Sequence, residues 1–287
     1  MAGSNGRMFY NVKHAAQRHF SPSRLVLIPT PSVRGTQTIA RAVTLIKAVA
    51  TRPQQGWRLT DLAAHCGYDK GSAHRMLAGL VQQRMVQQRG SDKHYVPGPL
   101  LFELGLGVPD LSAFRAACLP ALARLQRNAP GVAFLYLRSG DEFVCAARVG
   151  PNTLKGLSVE VGTRRPMVVS AGGTAILLAL PSAEQKQVLA ANFRQIESFG
   201  AARLAAVQKM LRRSRRHGHG INLADVVPGI HALGVPLFGA DGRAFASISV
   251  AGPAQTLPKA RLEAVVGLLR AEVRAIEGER LSQPHPL

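Results

Sequence analysis

Residues 59–85 read LTDLAAHCGYDKGSAHRMLAGLVQQRM, and that run leaves the chain few choices. Two short segments with helical apolar spacing meet at Gly67. Leu62, Ala63 and Cys66 are the apolar positions of the first, which Thr60 can cap. Gly67 supplies the positive φ of a tight interhelical turn, where a residue with a Cβ is strained. Asp69 can cap the second segment, in which Ala73, Met76, Leu77 and Leu80 fall at i, i+3, i+4 and i+7 and form one buried stripe. The face left over carries Lys70, Ser72, His74, Arg75 and Gln82. This is the pattern of a helix-turn-helix whose second helix presents cations and hydrogen-bonding groups. A helical hairpin with a solvated basic face would look the same, so the residues that follow decide between the two.

Those residues favour the first reading. Residues 86–89 and 94–96 read as two short strands around the turn Gly90-Ser91-Asp92-Lys93. Helix, turn, helix, hairpin is the order of a winged helix, and its wing would place Arg89, Lys93 and His94 near phosphates. Charge agrees. Against 16 Asp and Glu stand 36 Lys and Arg, a net charge of +20, and a chain this basic meets a polyanion, nucleic acid first. The three cysteines, Cys66, Cys118 and Cys145, lie far apart in apolar runs and suggest neither a disulfide framework nor a zinc site, which fits a reducing cytoplasm. The longest apolar run, 167–180, is broken by Ser170, Gly172, Gly173 and Thr174 and is too short to span a bilayer, so no membrane association is expected.

A length of 287 residues suits two domains. Residues 1–35 hold Arg7, Lys13, Arg18, Arg24 and Arg34 without an acid and are expected to form a disordered basic arm. Residues 36–51 should be a helix, with Ile39, Val43, Ile46 and Val49 or Ala50 against the helix-turn-helix. Trp57 and Leu59 suit a short strand. A linker helix starts near Leu100, and another runs over about 109–128 on Leu111, Phe114, Cys118, Leu122 and Leu125. From Gly131 the period changes to two. A hairpin over 132–138 and 142–149 and a third strand over 157–161 are expected. Helices over 170–180, 183–192 and 202–216, a second hairpin over 234–238 and 244–250, and a final helix over 258–277 follow. This order suits an α+β fold with an antiparallel sheet. The expected division is an arm at 1–35, a winged helix-turn-helix domain at 36–98, linker helices at 99–128, a second domain at 129–278, and a tail at 279–287.

Three stretches, TIARAVTLIKAVA (38–50), the helix-turn-helix run itself and HYVPGPLLFELG (94–105), resemble the DNA-binding domain of the IclR family of bacterial transcription regulators. RPMVVSAGGTAILLALP (165–181) and PGIHALGVPLFGADGRAFASISVAGP (228–253) are similar to the two signature stretches of that family's effector-binding domain. The resemblance covers about residues 36–277 and implies a GAF-like effector domain behind the winged helix, with linker helices that help dimerisation. It implies a regulator that works in the cytoplasm as a homodimer or homotetramer and binds double-stranded operator DNA under the control of a small molecule; from the residues themselves, no enzymatic activity, cofactor or metal is expected. Thr60, Lys70, Gly71, Ser72, His74, Arg75, Arg89 and Lys93 are the residues expected at DNA, Arg75 and Ser72 foremost. The family usually has Ser or Thr at position 71.

The resemblance also implies a ligand pocket. Its walls would be the strand near Leu154 and Leu157, the loop from Arg165 to Ala171, Gly172 and Gly173, and the strands carrying Ala232, Ser249 and Ala251, with Asn222 at the entrance. Gly172 and Gly173 would let backbone N–H groups approach an anion at a helix start. Asn222 stands where relatives that bind small keto acids carry an acid, and Ala232 and Ala251 stand where they carry Cys and Ser. Each change favours a ligand with more apolar surface. Arg165 replaces a position that is usually aliphatic, and a guanidinium there can hold a carboxylate by two charge-assisted bonds. The expected effector is a carboxylic acid with an apolar or aromatic body; the competing reading has Arg165 pointing to solvent.

Other chemistry is poorly represented. No GxSxG elbow, P-loop or HExxH occurs. An enzyme built on the second domain would need a nucleophile or an acid–base pair, and Asp141, Glu142, Glu160 and Asp225 have no recognisable catalytic partners. His217, His219 and His231 with Cys145 can be drawn as metal ligands, but His217-Gly218-His219 reads more economically as a solvated turn. The run Arg212-Arg213-Ser214-Arg215-Arg216 is either a nucleic-acid patch or, as we favour, a solvated helix end whose cations complement the helix dipole.

Overall fold

A computed structural model of the protein describes residues 35–151 and 159–281. The basic arm up to residue 34 and the last six residues of the expected tail lie outside them.

The N-terminal half is built on a small core. Helix α1 (Gln37–Val49) buries Leu45, Ala48 and Val49 against Leu62, Leu77, Leu80, Trp57, Val86 and Tyr95. Ile39 and Val43, expected on that face, are 64% and 43% exposed. All the fully buried residues of α1 lie in its C-terminal half; nearer its start, Ala42 is partly buried against the same core and Arg41 lies over the Tyr68 ring, 5.5 Å from its centroid. Helix α2 (Leu59–Cys66) starts earlier than the sequence suggests. Arg58 is its N-cap, without a side-chain bond, and the Thr60 hydroxyl donates to Asp61 Oδ1 at 3.3 Å. Leu59 is therefore helical, and Trp57 alone makes the short β-bridge, to Tyr95. Gly67 closes α2 at φ 68°, in the left-handed region. Helix α3 (Lys70–Gln82) is capped by Asp69, which accepts from Ser72 N at 2.7 Å, and buries Ala73, Leu77 and Leu80. Strands β1 (Val86–Gln88) and β2 (Tyr95–Pro97) pair antiparallel to form the wing.

Helix α4 (Pro99–Leu106) buries none of its residues, and Phe102, Leu104, Leu106 and Val108 are exposed. Helix α5 (Pro109–Asn128) leads into the second half, where it buries Phe114, Cys118, Leu122 and Leu125. There strands β3 (Val132–Ser139), β4 (Glu142–Val149), β5 (Arg164–Pro166), β6 (Gly220–Leu223), β7 (Ile230–Phe238) and β8 (Ala244–Pro253) form one antiparallel sheet in the order β5-β4-β3-β8-β7-β6. The two-residue period sends Ala246, Ile248 and Val250 of β8 into the layer with α5 and α9 (Leu262–Leu281). Ser247, Ser249 and Ala251 face the other side, where α6 (Ala171–Leu178), α7 (Ser182–Glu197) and α8 (Ala201–His217) enclose a second core.

Three features differ from the expectation. The third strand is β5 at Arg164–Pro166, whereas residues 159–161 form no strand and 157–158 lie outside the described residues. Arg-Arg-Pro shows no apolar alternation; it is a strand because the free edge of β4 offers it partners, with Phe143 opposite Arg165. A proline is tolerated on such an edge. Strand β6 was not expected. Gly218, at φ 67°, ends α8, and the chain turns at once into the sheet. His217 and Gly218 of the expected solvated turn are exposed, but His219 is buried, with Nδ1 2.9 Å from His217 O. Lastly, α9 runs to Leu281, past the expected end.

Helix α6 lies directly on the sheet. A Cβ at Gly220 would fall 1.8 Å from the backbone oxygen of Ala171, one at Gly234 would fall 2.7 Å from Gly172 Cα, and one at Gly172 would fall 2.3 Å from the Tyr136 ring. Backbone meets backbone there because no side chain intervenes. Among the described residues, no helix is long and apolar enough to cross a membrane.

Candidate nucleic-acid interface and ligand pocket

The capped start of α3 gathers the polar residues of the recognition face. Lys70, Gly71, His74 and Arg75 are exposed and Ser72 is half-buried. The Arg75 guanidinium donates from Nη2 to Ser72 Oγ at 3.2 Å, one turn back, which holds it along the helix. The Ser72 N–H holds the Asp69 carboxyl below the usual carboxylate range, and the hydroxyl of Ser72 and the charge of Arg75 act in the same direction. A Cβ at Gly71 would meet Asp69 Oδ1 at 3.5 Å and Arg75 Nη1 at 3.7 Å, ordinary contacts. Glycine is therefore not required there by packing; it leaves open space beside Arg75.

The wing contributes differently from expectation. Arg89 donates from Nη1 to Gln54 O at 2.7 Å, from Nη2 to Gln55 O at 2.6 Å and to Asp92 Oδ2 at 2.7 Å, and from Nε to Asp92 Oδ1 at 3.2 Å. The guanidinium expected at phosphates is committed to tying the wing to the loop before α2. His94 is likewise turned inward, with Nδ1 3.0 Å from Asp92 O. Lys93 is exposed at the tip, at φ 59°. Thr60 is exposed on the first turn of α2, bonded to Asp61. The fold thus brings Lys70, Gly71, Ser72, His74 and Arg75 onto one face, with Lys93 at the end of the wing.

On the α6 side of the large sheet, Arg165, Ala171, Asn222, Ala232, Ser249 and Ala251 line one cavity. Leu154 and Leu157 lie outside the described residues. Gly172 does not line it. Its place against the Tyr136 ring explains the glycine by close packing, and the Gly173 N–H is taken up by Ser170 Oγ at 2.8 Å, which caps α6. Asn222, expected at the entrance, is 4% exposed. Its Oδ1 accepts from Asp225 N at 3.1 Å and Val226 N at 3.2 Å, and its Nδ2 donates to Ile230 O at 3.1 Å, so it pins the 223–230 loop that forms one wall. The Ser249 hydroxyl donates to Leu233 O at 2.6 Å. Val169 and Ser170 of the expected loop also line it, and Tyr136, Phe143, Val159, Val227 and Ile230, which were not singled out from the sequence, complete the lining. Tyr136 has its ring centroid 4.5 Å from Phe143 and 5.4 Å from Phe134. Its parity with Val132 and Phe134 along β3 was the available signal.

Arg165 sits on the wall, half-buried, and does not simply point to solvent. Burial draws its guanidinium below its ordinary value; Tyr136 opposes that shift and the nearby charge of Arg203 adds to it. Arg203 is held in place by a hydrogen bond from Nη1 to Val226 O. Glu142 pairs with Arg164 at 3.2 Å, and Asp225 pairs with Arg213 and Lys209. The rest of the lining is mainly apolar, with Ser170, Asn222 and Ser249 as polar members, and the cavity's volume is about 40 Å³. Burial pushes the Cys145 thiol up to about 12, far from a reactive thiolate. His231 Nδ1 lies 2.8 Å from Leu257 O, and among the described residues no group of three His, Cys, Asp or Glu could hold a metal ion.

Two family profiles match the chain: the IclR helix-turn-helix domain over residues 38–90, and the bacterial transcriptional regulator IclR C-terminal domain over residues 111–278. Among curated relatives, the HTH-type transcriptional regulator KipR of Bacillus subtilis is 26% identical over 222 residues, 75% of this chain and 86% of its own length. The transcriptional repressor IclR of Escherichia coli is 24% identical over 228 residues, 78% of this chain and 82% of its own. An IclR family transcriptional regulator from Brucella abortus has a similar solved structure, with TM-score 0.69 at 20% identity, covering 89% of this chain and 97% of that one. So has an IclR homolog from Microbacterium hydrocarbonoxydans complexed with 4-hydroxybenzoate, with TM-score 0.63 at 20% identity, covering 85% and 99%.

Proposed function

Since this chain belongs to the IclR family of bacterial transcriptional regulators, we propose that it binds operator DNA through residues 36–98 and answers to an organic acid held by residues 129–278, with 99–128 as the connection. Lys70, Ser72, His74 and Arg75 meet base edges and Lys93 meets phosphate, whereas Arg89 shapes the wing. The observation that carries the ligand class is Arg165, with the charge of Arg203 beside it, on the wall of a cavity that is otherwise mainly apolar. A carboxylate would be paired at Arg165 and its body would rest on Tyr136, Phe143 and Ile230. The Microbacterium homolog's bound 4-hydroxybenzoate supports an aromatic acid as one candidate. An aromatic ring does not fit about 40 Å³, so the walls move when it binds.

The protein acts as a cytoplasmic homodimer or tetramer in this reading. One winged helix covers too few base pairs for a specific site, and two-fold pairing on a pseudo-palindrome is the usual remedy. The exposed Phe102, Leu104 and Leu106 of α4 give such a contact apolar surface. The deciding experiment is a footprint of the protein on DNA upstream of its neighbouring genes, with and without a panel of aromatic and aliphatic carboxylates. Protection of a two-fold site that one class of acid shifts is expected. A metabolite turned over by the protein, with no protected DNA, would favour an enzyme instead.

A further inference from the structure

Helix α8 ends in a cluster that neither the pocket nor the recognition helix explains. Arg212, Arg215 and Arg216 stand at i, i+3 and i+4, so they share one face of the last turns, and all three are exposed. Arg213 points away from them, to Asp225. Among the described residues no hydrogen bond or ion pair engages Arg212, Arg215 or Arg216. A helix C-terminus carries about half a negative charge, which one cation satisfies. The helix end uses at most one of the three guanidinium groups, and the three repel one another, because like charges at i and i+4 are destabilising. Residues 129–278 as a whole carry 18 Lys and Arg against 10 Asp and Glu, a net +8, so the excess of cations is not confined to the winged helix. A cluster that weakens its own helix end and is unneutralised by its own domain is complementary to a polyanion.

We propose that the last turns of α8 are a second DNA contact, in which Arg212, Arg215 and Arg216 engage the phosphate backbone of duplex DNA. This rests on the protein being a DNA-binding regulator and adds a surface on the effector-binding side. Phosphate contacts of this kind are sequence-independent and position the protein on the duplex. The ridge is also tied to the pocket. Ser214, between Arg213 and Arg215, accepts from Ile221 N at 3.0 Å, and Ile221 precedes Asn222 on the cavity wall. The ridge is thus anchored to a strand that forms one wall of the cavity.

The test uses the full-length protein and a random-sequence 60-base-pair duplex, chosen so that no operator is needed. Affinity is measured against KCl concentration for the parent and for the triple variant Arg212→Gln, Arg215→Gln, Arg216→Gln. Each lost phosphate contact lowers the slope of log K against log salt by about 0.9. The triple variant should show a slope shallower by about two to three and an affinity about tenfold to a hundredfold weaker near physiological salt, with a melting temperature no lower than that of the parent. The triple Lys variant should keep the parent slope. An unchanged slope in the folded Gln variant overturns the proposal while leaving the regulator reading intact. So does polyglutamate that competes at the ridge with the DNA slope unchanged, which would assign the ridge to an acidic protein. A parent protein with no affinity for duplex DNA overturns both. If the triple variant fails to fold, the single substitutions should each give about one third of the change in slope.

Discussion

Arg213 reaches across the corner between α8 and β6 to pair with Asp225, whose side chain is only 1% exposed. Burial alone would raise the Asp225 carboxyl. The Arg213 hydrogen bond, the Leu223 N–H and the charges of Arg213 and Lys209 outweigh it and hold the group below the usual carboxylate range. Removing Arg213 leaves a buried carboxylate with Lys209, 3.6 Å away, as its remaining cation. Arg213→Ala should lower stability by about 3 kcal/mol at pH 7, read by urea unfolding. The folded carboxyl is depressed, so its contribution is fully present above the unfolded value of about 3.9 and is lost as pH falls towards the folded value. The gap between parent and variant should therefore narrow from pH 5 downward. A gap that stays constant to pH 3 would contradict the pairing.

Gly220→Ala places a Cβ 1.8 Å from the Ala171 carbonyl oxygen, backbone that cannot rotate away. The cost should be roughly 3 kcal/mol or more, seen as a large fall in melting temperature or as insoluble protein. Gly267→Ala, with nothing within 4 Å of the new Cβ inside α9, is the matched control. It should raise stability by about 0.5–1 kcal/mol. Equal effects at the two sites would refute the close-approach argument.

Arg75→Ala should abolish specific operator recognition, a loss of about 1–3 kcal/mol of discrimination for one bidentate base contact. The Ser72–Arg75 bond lies on the helix surface, so the far-UV spectrum should not change. Gel shifts with operator and random duplex read the two effects apart. Full operator affinity in the variant would remove Arg75 from the interface.

Arg165→Leu should weaken binding of the effective carboxylate about tenfold or more, since a charge-assisted pair contributes more than a neutral hydrogen bond. Calorimetry with the acid and its uncharged amide separates the anchoring charge from the apolar walls. Equal affinity of the acid for parent and variant would show that the carboxylate is held elsewhere.

What was legible in the sequence was whatever local chemistry dictates. Gly67 and Asp69 mark the helix-turn-helix because a left-handed turn and a cap depend on a few adjacent residues. The hairpin of β3 and β4 was legible from two apolar runs on either side of the turn Ser139-Gly140-Asp141. Strand β5 was not, since Arg164–Pro166 owes its conformation to the β4 edge, and neither was β6, four residues following directly on a helix cap. In the site, the convergence of Arg165, Asn222 and Ser249 was expected from family resemblance, not from spacing. The roles of Asn222 and Arg89 were not accessible because they depend on backbone groups: Asn222 on those of residues 225–230, and Arg89 on carbonyls 34 and 35 residues earlier in the chain.

The bare contact of Gly172 with Gly234 has a mechanical side. Side chains between a helix and a sheet act as a compliant layer, since rotamers can shift to absorb a small displacement. Here that layer is missing, and α6 and the β6–β7 edge behave as one stiff block. Ala171 belongs to that block and is a wall of the cavity. The cavity therefore resembles a vice with one fixed jaw. A ligand larger than the space available makes room on the opposite side, towards Arg165 and Val159, and whatever travel it causes is delivered there undiminished.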